Sequence, residues 1–182
     1  MSLKYVKTIQ DELYYEYAKL ISRSAFNGNL QYDFILDKYQ ELSDGRLTIS
    51  GTISEWQRES ELPRECVFCG STDQLKTDHL IPKSRGGSDS DDNLVLSCIK
   101  CNSSRNNKGI FQWLGLKDKD NLHKLVVGKY LKELYDLHLH KGTLNTSIEY
   151  LGMFCTNCKN PAVCEQCNTV GDLTCFCLES VF

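Results

Sequence analysis

Long apolar runs are missing from this chain of 182 residues; no stretch approaches the roughly 18 apolar residues that a membrane span needs. The N-terminal segment MSLKYVKTIQDELYY alternates charged and apolar side chains. It holds no apolar core with a cleavage site, so cytoplasmic residence is the expectation. Proline is scarce, three in all, and no joint looks like a long flexible linker. Internal repeats and low-complexity segments are absent. So is an excess of positive charge: the formal net charge is −3 and the pI about 5.8. That balance argues against coating nucleic acid by bulk electrostatics, yet it leaves room for a local site. Several catalytic signatures are missing too. There is no G-x₄-GK phosphate loop and no G-x-S-x-G elbow. No H-x₃₋₅-H follows the cysteine pairs, which excludes a two-cysteine, two-histidine finger. A zinc deaminase needs H-x-E before P-C-x-x-C, but Ile81 stands two residues after His79 and neither C-x-x-C pair follows proline.

Cysteine is abundant, at ten residues. In a reducing compartment disulfides explain them poorly. Four form two C-x-x-C pairs, Cys66/Cys69 and Cys98/Cys101, separated by 28 residues. A C-x-x-C turn offers two thiolates to one ion, and two such turns complete a tetrahedron, so a structural Zn²⁺ is expected here. The other six, Cys155, Cys158, Cys164, Cys167, Cys175 and Cys177, crowd the tail. They suit one zinc with two thiols spare or two zincs with shared sulfurs, and their spacing matches neither ferredoxin pattern.

Periodicity organises the remainder. Leu3, Val6, Ile9, Leu13, Tyr17, Leu20 and Ile21 predict a helix over 3–25, ended by Asn27-Gly28-Asn29. A second helix is predicted over 32–42, and Ile49, Ile53 and Trp56 favour a third within 46–62. Helical patterning returns over 110–140, where His123, His138 and His140 have no metal-type neighbours and read as ordinary. The expected division is a helical N-terminal region (1–62), a metal-rich core (63–109), a helical region packing on it (110–141) and a Cys-rich metal-binding tail (142–182). The fold class is α+β.

Residues 66–108 carry the chemistry. Between the cysteine pairs lie Asp78-His79, Gly86-Gly87, Asn93 and the apolar run Leu94-Val95-Leu96; Asn102 follows the second pair at once. A zinc joining the two ends would let segments around 76–78 and 94–97 pair as antiparallel strands, with a helix through 103–108 packed across them. So small a unit needs that metal to hold its shape. The staple would bring Asp78 near Asn102. Two oxygen ligands with open water positions suit Mg²⁺ or Mn²⁺ engaging a phosphate. His79 points to the other side of its strand and is free to act as a base. Arg85, Arg105 and Lys108 flank the site as candidate phosphate contacts.

In these residues the segment resembles the HNH, or ββα-metal, nuclease motif, in a version with aspartate at the first histidine and asparagine at the last. Its cysteine frame resembles phage endonuclease VII-type resolvases and HNH restriction and nicking enzymes. The resemblance covers under a quarter of the chain. It implies a catalytic set of His79, Asp78, Asn93 and Asn102. His79 would be the general base, Asp78 and Asn102 ligands of the catalytic ion, and Asn93 a pin for the loop. The products would be 5′-phosphate and 3′-hydroxyl ends. The expected partner is double-stranded or branched DNA, with RNA left open and a homodimer for cutting both strands. Two rivals remain: a zinc-dependent nucleic-acid-binding module that does not cut, and a redox or iron–sulfur protein organised by the tail.

Overall fold

The first helix of this chain begins where a polar side chain can take its first free amides. The computed structural model describes residues 5–49, 63–114 and 122–150. In order, its elements are α1 (Ile9–Ala25), α2 (Tyr32–Ser43), β1 (Leu75–His79), β2 (Leu94–Cys98), α3 (Ile99–Arg105), α4 (Ile110–Leu114) and α5 (Lys124–His140). Helix α1 starts at Ile9, not at residue 3, because Thr8 caps it. Thr8 Oγ1 accepts the Asp11 N–H at 3.1 Å, and the Asp11 carboxylate accepts the Thr8 N–H at 3.0 Å. This reciprocal pair satisfies two amides that would otherwise lack partners.

The described residues fall into two compact units, one up to Ile49 and from Leu134 onward, the other from Pro63 to Glu133. In the first, α1 packs against α2 and buries Ile9, Leu13 and Ala18, while α2 buries Ile35 and Leu42. The turn between them uses Asn27 and Gly28 at positive φ (51° and 94°). Ser22 Oγ then accepts the Gln31 N–H at 3.0 Å and fixes the entry to α2. Beyond α2 the chain bends at Gly45 (φ 71°) and is not helical at 46–49. The rest of the third helix expected within 46–62 lies outside the described residues. Residues 144–148 return beside the start of α1, where Leu144 O and Thr146 O accept the Gln10 and Ile9 amides at 3.0 Å. Tyr14 stacks on Tyr135 at 5.8 Å.

The second unit is built on a two-stranded antiparallel sheet with register Leu75↔Cys98, Lys76↔Ser97, Thr77↔Leu96, Asp78↔Val95 and His79↔Leu94. Strand alternation sends Asp78, Val95 and Ser97 to one face, and all three are buried. Helix α3 packs against both strands. It begins at Ile99, directly after β2, and stops at Arg105 because Asn106 turns to φ 52°. That is earlier at both ends than the helix expected through 103–108. Around the sheet, Phe111 meets Tyr130 edge to face at 5.1 Å, and Phe68 meets Trp113 likewise at 5.2 Å. Lys129 Nζ donates to Leu94 O at 2.8 Å. A small mixed helix-and-sheet unit with a four-cysteine cluster is thus present. The Cys-rich tail lies outside the described residues.

Candidate active site and zinc centre

Two backbone turns converge the four thiols. Cys66 opens a tight turn closed by Gly70 N–H on Cys66 O (2.8 Å), with Gly70 at φ 71°; Val67 N–H is anchored on Leu96 O at 3.0 Å. Cys98 is the N-cap of α3, and its sulfur accepts the Cys101 N–H at 3.5 Å. An i, i+3 spacing across the first helical turn puts both sulfurs on one side. All four Sγ atoms lie within 4.8 Å of one another, with Cys66 and Cys98 buried. Tetrahedral zinc with bonds of about 2.3 Å places its sulfurs about 3.8 Å apart; Cys69 Sγ and Cys98 Sγ are 3.7 Å apart. The donors fit zinc. Their proton affinities diverge without one: the Cys101 amide draws the Cys98 thiol down to about 7, while burial pushes Cys101 up. Four neighbouring thiolates cannot all ionise unless a cation offsets them.

Asp78 sits at the far end of β1, buried at 8% exposure. Its Oδ1 accepts Arg105 Nη2 at 2.7 Å, and Ser97 Oγ approaches Oδ2 at 3.4 Å. Arg105 is itself only 2% exposed. It donates further to Leu80 O (3.1 Å) and to His79 O, while its Nε has no partner among the described residues. This corrects the reading of Arg105 as a phosphate contact. A guanidinium buried among backbone carbonyls and one carboxylate ties α3 to β1 and does not face solvent. Asn102 lies one turn before Arg105 on α3 and is half-buried. Of the other two candidate contacts, Lys108 is exposed, and Arg85 is half-buried at the end of a 3-10 turn, Lys83–Arg85.

Asn93 is fully buried and pins the loop that follows β1. Its Oδ1 accepts Ile81 N–H at 2.8 Å, and its Nδ2 donates to Ile81 O (2.9 Å) and Ser88 O (2.8 Å). Gly87 is obligatory here for space, since a Cβ would stand 1.9 Å from Ile81 O and 2.7 Å from Asn93 Nδ2. The Gly-Gly of the sequence thus has a steric cause, with Gly86 supplying a left-handed turn at φ 89°.

His79 follows Asp78 and, by strand alternation, leaves the opposite face. Its Nε2 lies 2.8 Å from Asp89 Oδ1, and Lys83 Nζ lies 2.5 Å from Asp89 Oδ2. Lys83, and after it His79, hold the Asp89 carboxyl below the ordinary carboxylate range, so it accepts and the ring nitrogen donates. Sequence reasoning missed Asp89. It stands among Ser88, Ser90, Asp91 and Asp92, and nothing local singles it out.

The unit thus brings together four thiols suited to a structural zinc and, on β1, an imidazole paired with a carboxylate. The six tail cysteines lie outside the described residues, and no described helix is long and apolar enough to cross a membrane. No curated protein and no solved structure matches the chain. Residues 66–108 match the family model of the HNH endonuclease, so this segment, with its two-stranded sheet and four-cysteine cluster, is similar to an HNH nuclease domain.

Proposed function

We propose that the protein is a metal-dependent endonuclease that hydrolyses phosphodiester bonds in DNA, leaving 5′-phosphate and 3′-hydroxyl ends. The observation that carries this reading is the buried frame around His79. Asn93 and Gly87 lock the loop after β1, Arg105 locks the backbone at 78–80, and the imidazole remains at the end of β1 with one nitrogen unpaired among the described residues. A frame built only to bind zinc would need none of this.

Asp78 and Asn102 suit a hard divalent cation, Mg²⁺ or Mn²⁺, as one carboxylate and one amide with room for water. Asp78 Oδ2, whose contact with Ser97 is long at 3.4 Å, is the oxygen available to it. Such an ion, when bound, supplies charge neutralisation at the phosphate and at the departing oxygen. His79 removes a proton from water as its oxygen attacks phosphorus; the bond to the 3′-oxygen breaks, and that oxygen takes a proton from solvent. Asn93 aims the loop and touches no substrate. Lys108 and Arg85 stand as phosphate contacts, so binding weakens with salt.

The non-cutting module keeps one observation in its favour: Asp78 Oδ1 is already engaged by Arg105. Incubation of supercoiled plasmid with Mg²⁺ or Mn²⁺ tests the choice, with native protein beside a His79→Ala variant shown to retain zinc. Nicked or linear product that requires both the ion and His79 supports the nuclease. Retained DNA binding without cleavage of plasmid, branched DNA or RNA leaves the binding module.

A further inference from the structure

We infer that Asp89 is a positioning residue for His79: its carboxylate holds the Nε2–H edge of the ring and leaves Nδ1 as the nitrogen that acts as base. The inference rests on the nuclease reading of this site and deepens it. The pairing is direct, at 2.8 Å, and the second carboxylate oxygen is occupied by Lys83. Asp89 is exposed, so its side chain alone would wander; the loop beneath it is what fixes its place. Ser88 donates its N–H to Glu133 Oε1 at 2.5 Å and its hydroxyl to Glu133 Oε2 at 3.0 Å. Glu133, from α5, is 3% exposed. Ser88 O accepts from Asn93, and Ser88 Oγ meets Ser90 Oγ at 2.7 Å. The residue before Asp89 is therefore anchored from both sides. A buried glutamate with both oxygens turned to one serine of an exposed loop has no reason in core packing.

A carboxylate at this place does two things that a neutral acceptor does less well. It can only accept, so the proton must sit on Nε2 and the lone pair on Nδ1, which has no partner among the described residues. It also stabilises the imidazolium formed once Nδ1 has taken the proton from water, without itself becoming protonated. Lys83 holds the carboxylate against rotation.

The test uses the zinc-loaded full chain with Asp89→Ala and Asp89→Glu. Asp89→Ala should lower kcat about 10–100-fold with KM nearly unchanged. Asp89→Glu should restore part of the rate, and Asp89→Ala combined with His79→Ala should cost no more than His79→Ala alone. The readout independent of activity is the His79 Nε2–H signal in long-range ¹H–¹⁵N spectra. It should be present in the native protein and shifted or lost to exchange in Asp89→Ala, with the sheet signals intact. An unchanged ring signal overturns the inference. So does a faster Asp89→Ala enzyme, because the carboxylate would then be occupying the place of a phosphate. If the native chain cuts nothing, the nuclease reading fails by itself, and the ring signal still decides the pairing.

Discussion

The two units of this chain bury different chemistry. The first is closed mainly by side chains such as Ile9, Leu13, Ile35, Leu42, Leu134 and Leu144, whose contribution is apolar area removed from water, and its buried polar groups are fewer: Glu16, Ser22 and His138. The second has an apolar core of its own, but it also buries Asp78, Asn93, Ser97, Arg105, Lys129 and Glu133. Nearly every one of these polar groups is matched to a named partner. Apolar burial has no direction, whereas hydrogen bonds and metal–thiolate bonds do. The region that must aim a base is therefore held by directional contacts, and each of those is costly to break singly.

Removal of zinc should produce the largest contrast. Structural zinc contributes on the order of 10 kcal/mol to units of this kind. A chelator strong enough to strip four thiolates should abolish hydrogen-exchange protection in β1, β2 and the start of α3, with α1 and α2 keeping theirs. Equal loss in α1 and α2 at the same free metal concentration would erase the distinction between the units.

The next effect sharpens the same point at one residue. Arg105→Ala should destabilise the protein by about 3–5 kcal/mol, since it strands the buried Asp78 carboxylate and frees two backbone carbonyls. Asp78→Asn in the Arg105→Ala background should recover part of that loss, because the stranded charge is gone. Chemical denaturation of the three proteins checks this. A loss under 1 kcal/mol for Arg105→Ala would mean that the apolar contacts alone hold α3 to β1 (~1 kcal/mol being the scale of a solvent-exposed pair).

What could be read from the sequence follows the same division. Helix α2 was legible because apolar spacing and the turn residues after it specify it locally; the strands followed from the zinc staple between the cysteine pairs and run slightly longer than 76–78 and 94–97, at 75–79 and 94–98. The zinc cluster was legible because two C-x-x-C turns have one common use. Helix α3 was misplaced, although the Cys98–Cys101 spacing is itself one helical turn and marked its start. No pattern in the sequence announces that Arg105 is buried beneath a carboxylate. Glu133 and Ser88 stand far apart in sequence, and only the folded chain brings them together. Long-range polar pairing was the part that the sequence concealed.

The smallest effect tests the other unit. Thr8→Ala removes the hydroxyl that accepts the Asp11 amide, while Asp11 keeps its own hold on the Thr8 amide. Half of the capping box survives, so the cost should be about 1 kcal/mol, the typical value for a lost N-cap. The effect should appear as fraying of the first turn of α1, seen in amide exchange at Asp11 and Glu12. The His79 ring signal and the four-thiolate zinc site should not change, because cap and site belong to different units. A change in the ring signal on losing this cap would show that the scaffold helices tune the site, and the division between scaffold and machinery would then have to be abandoned.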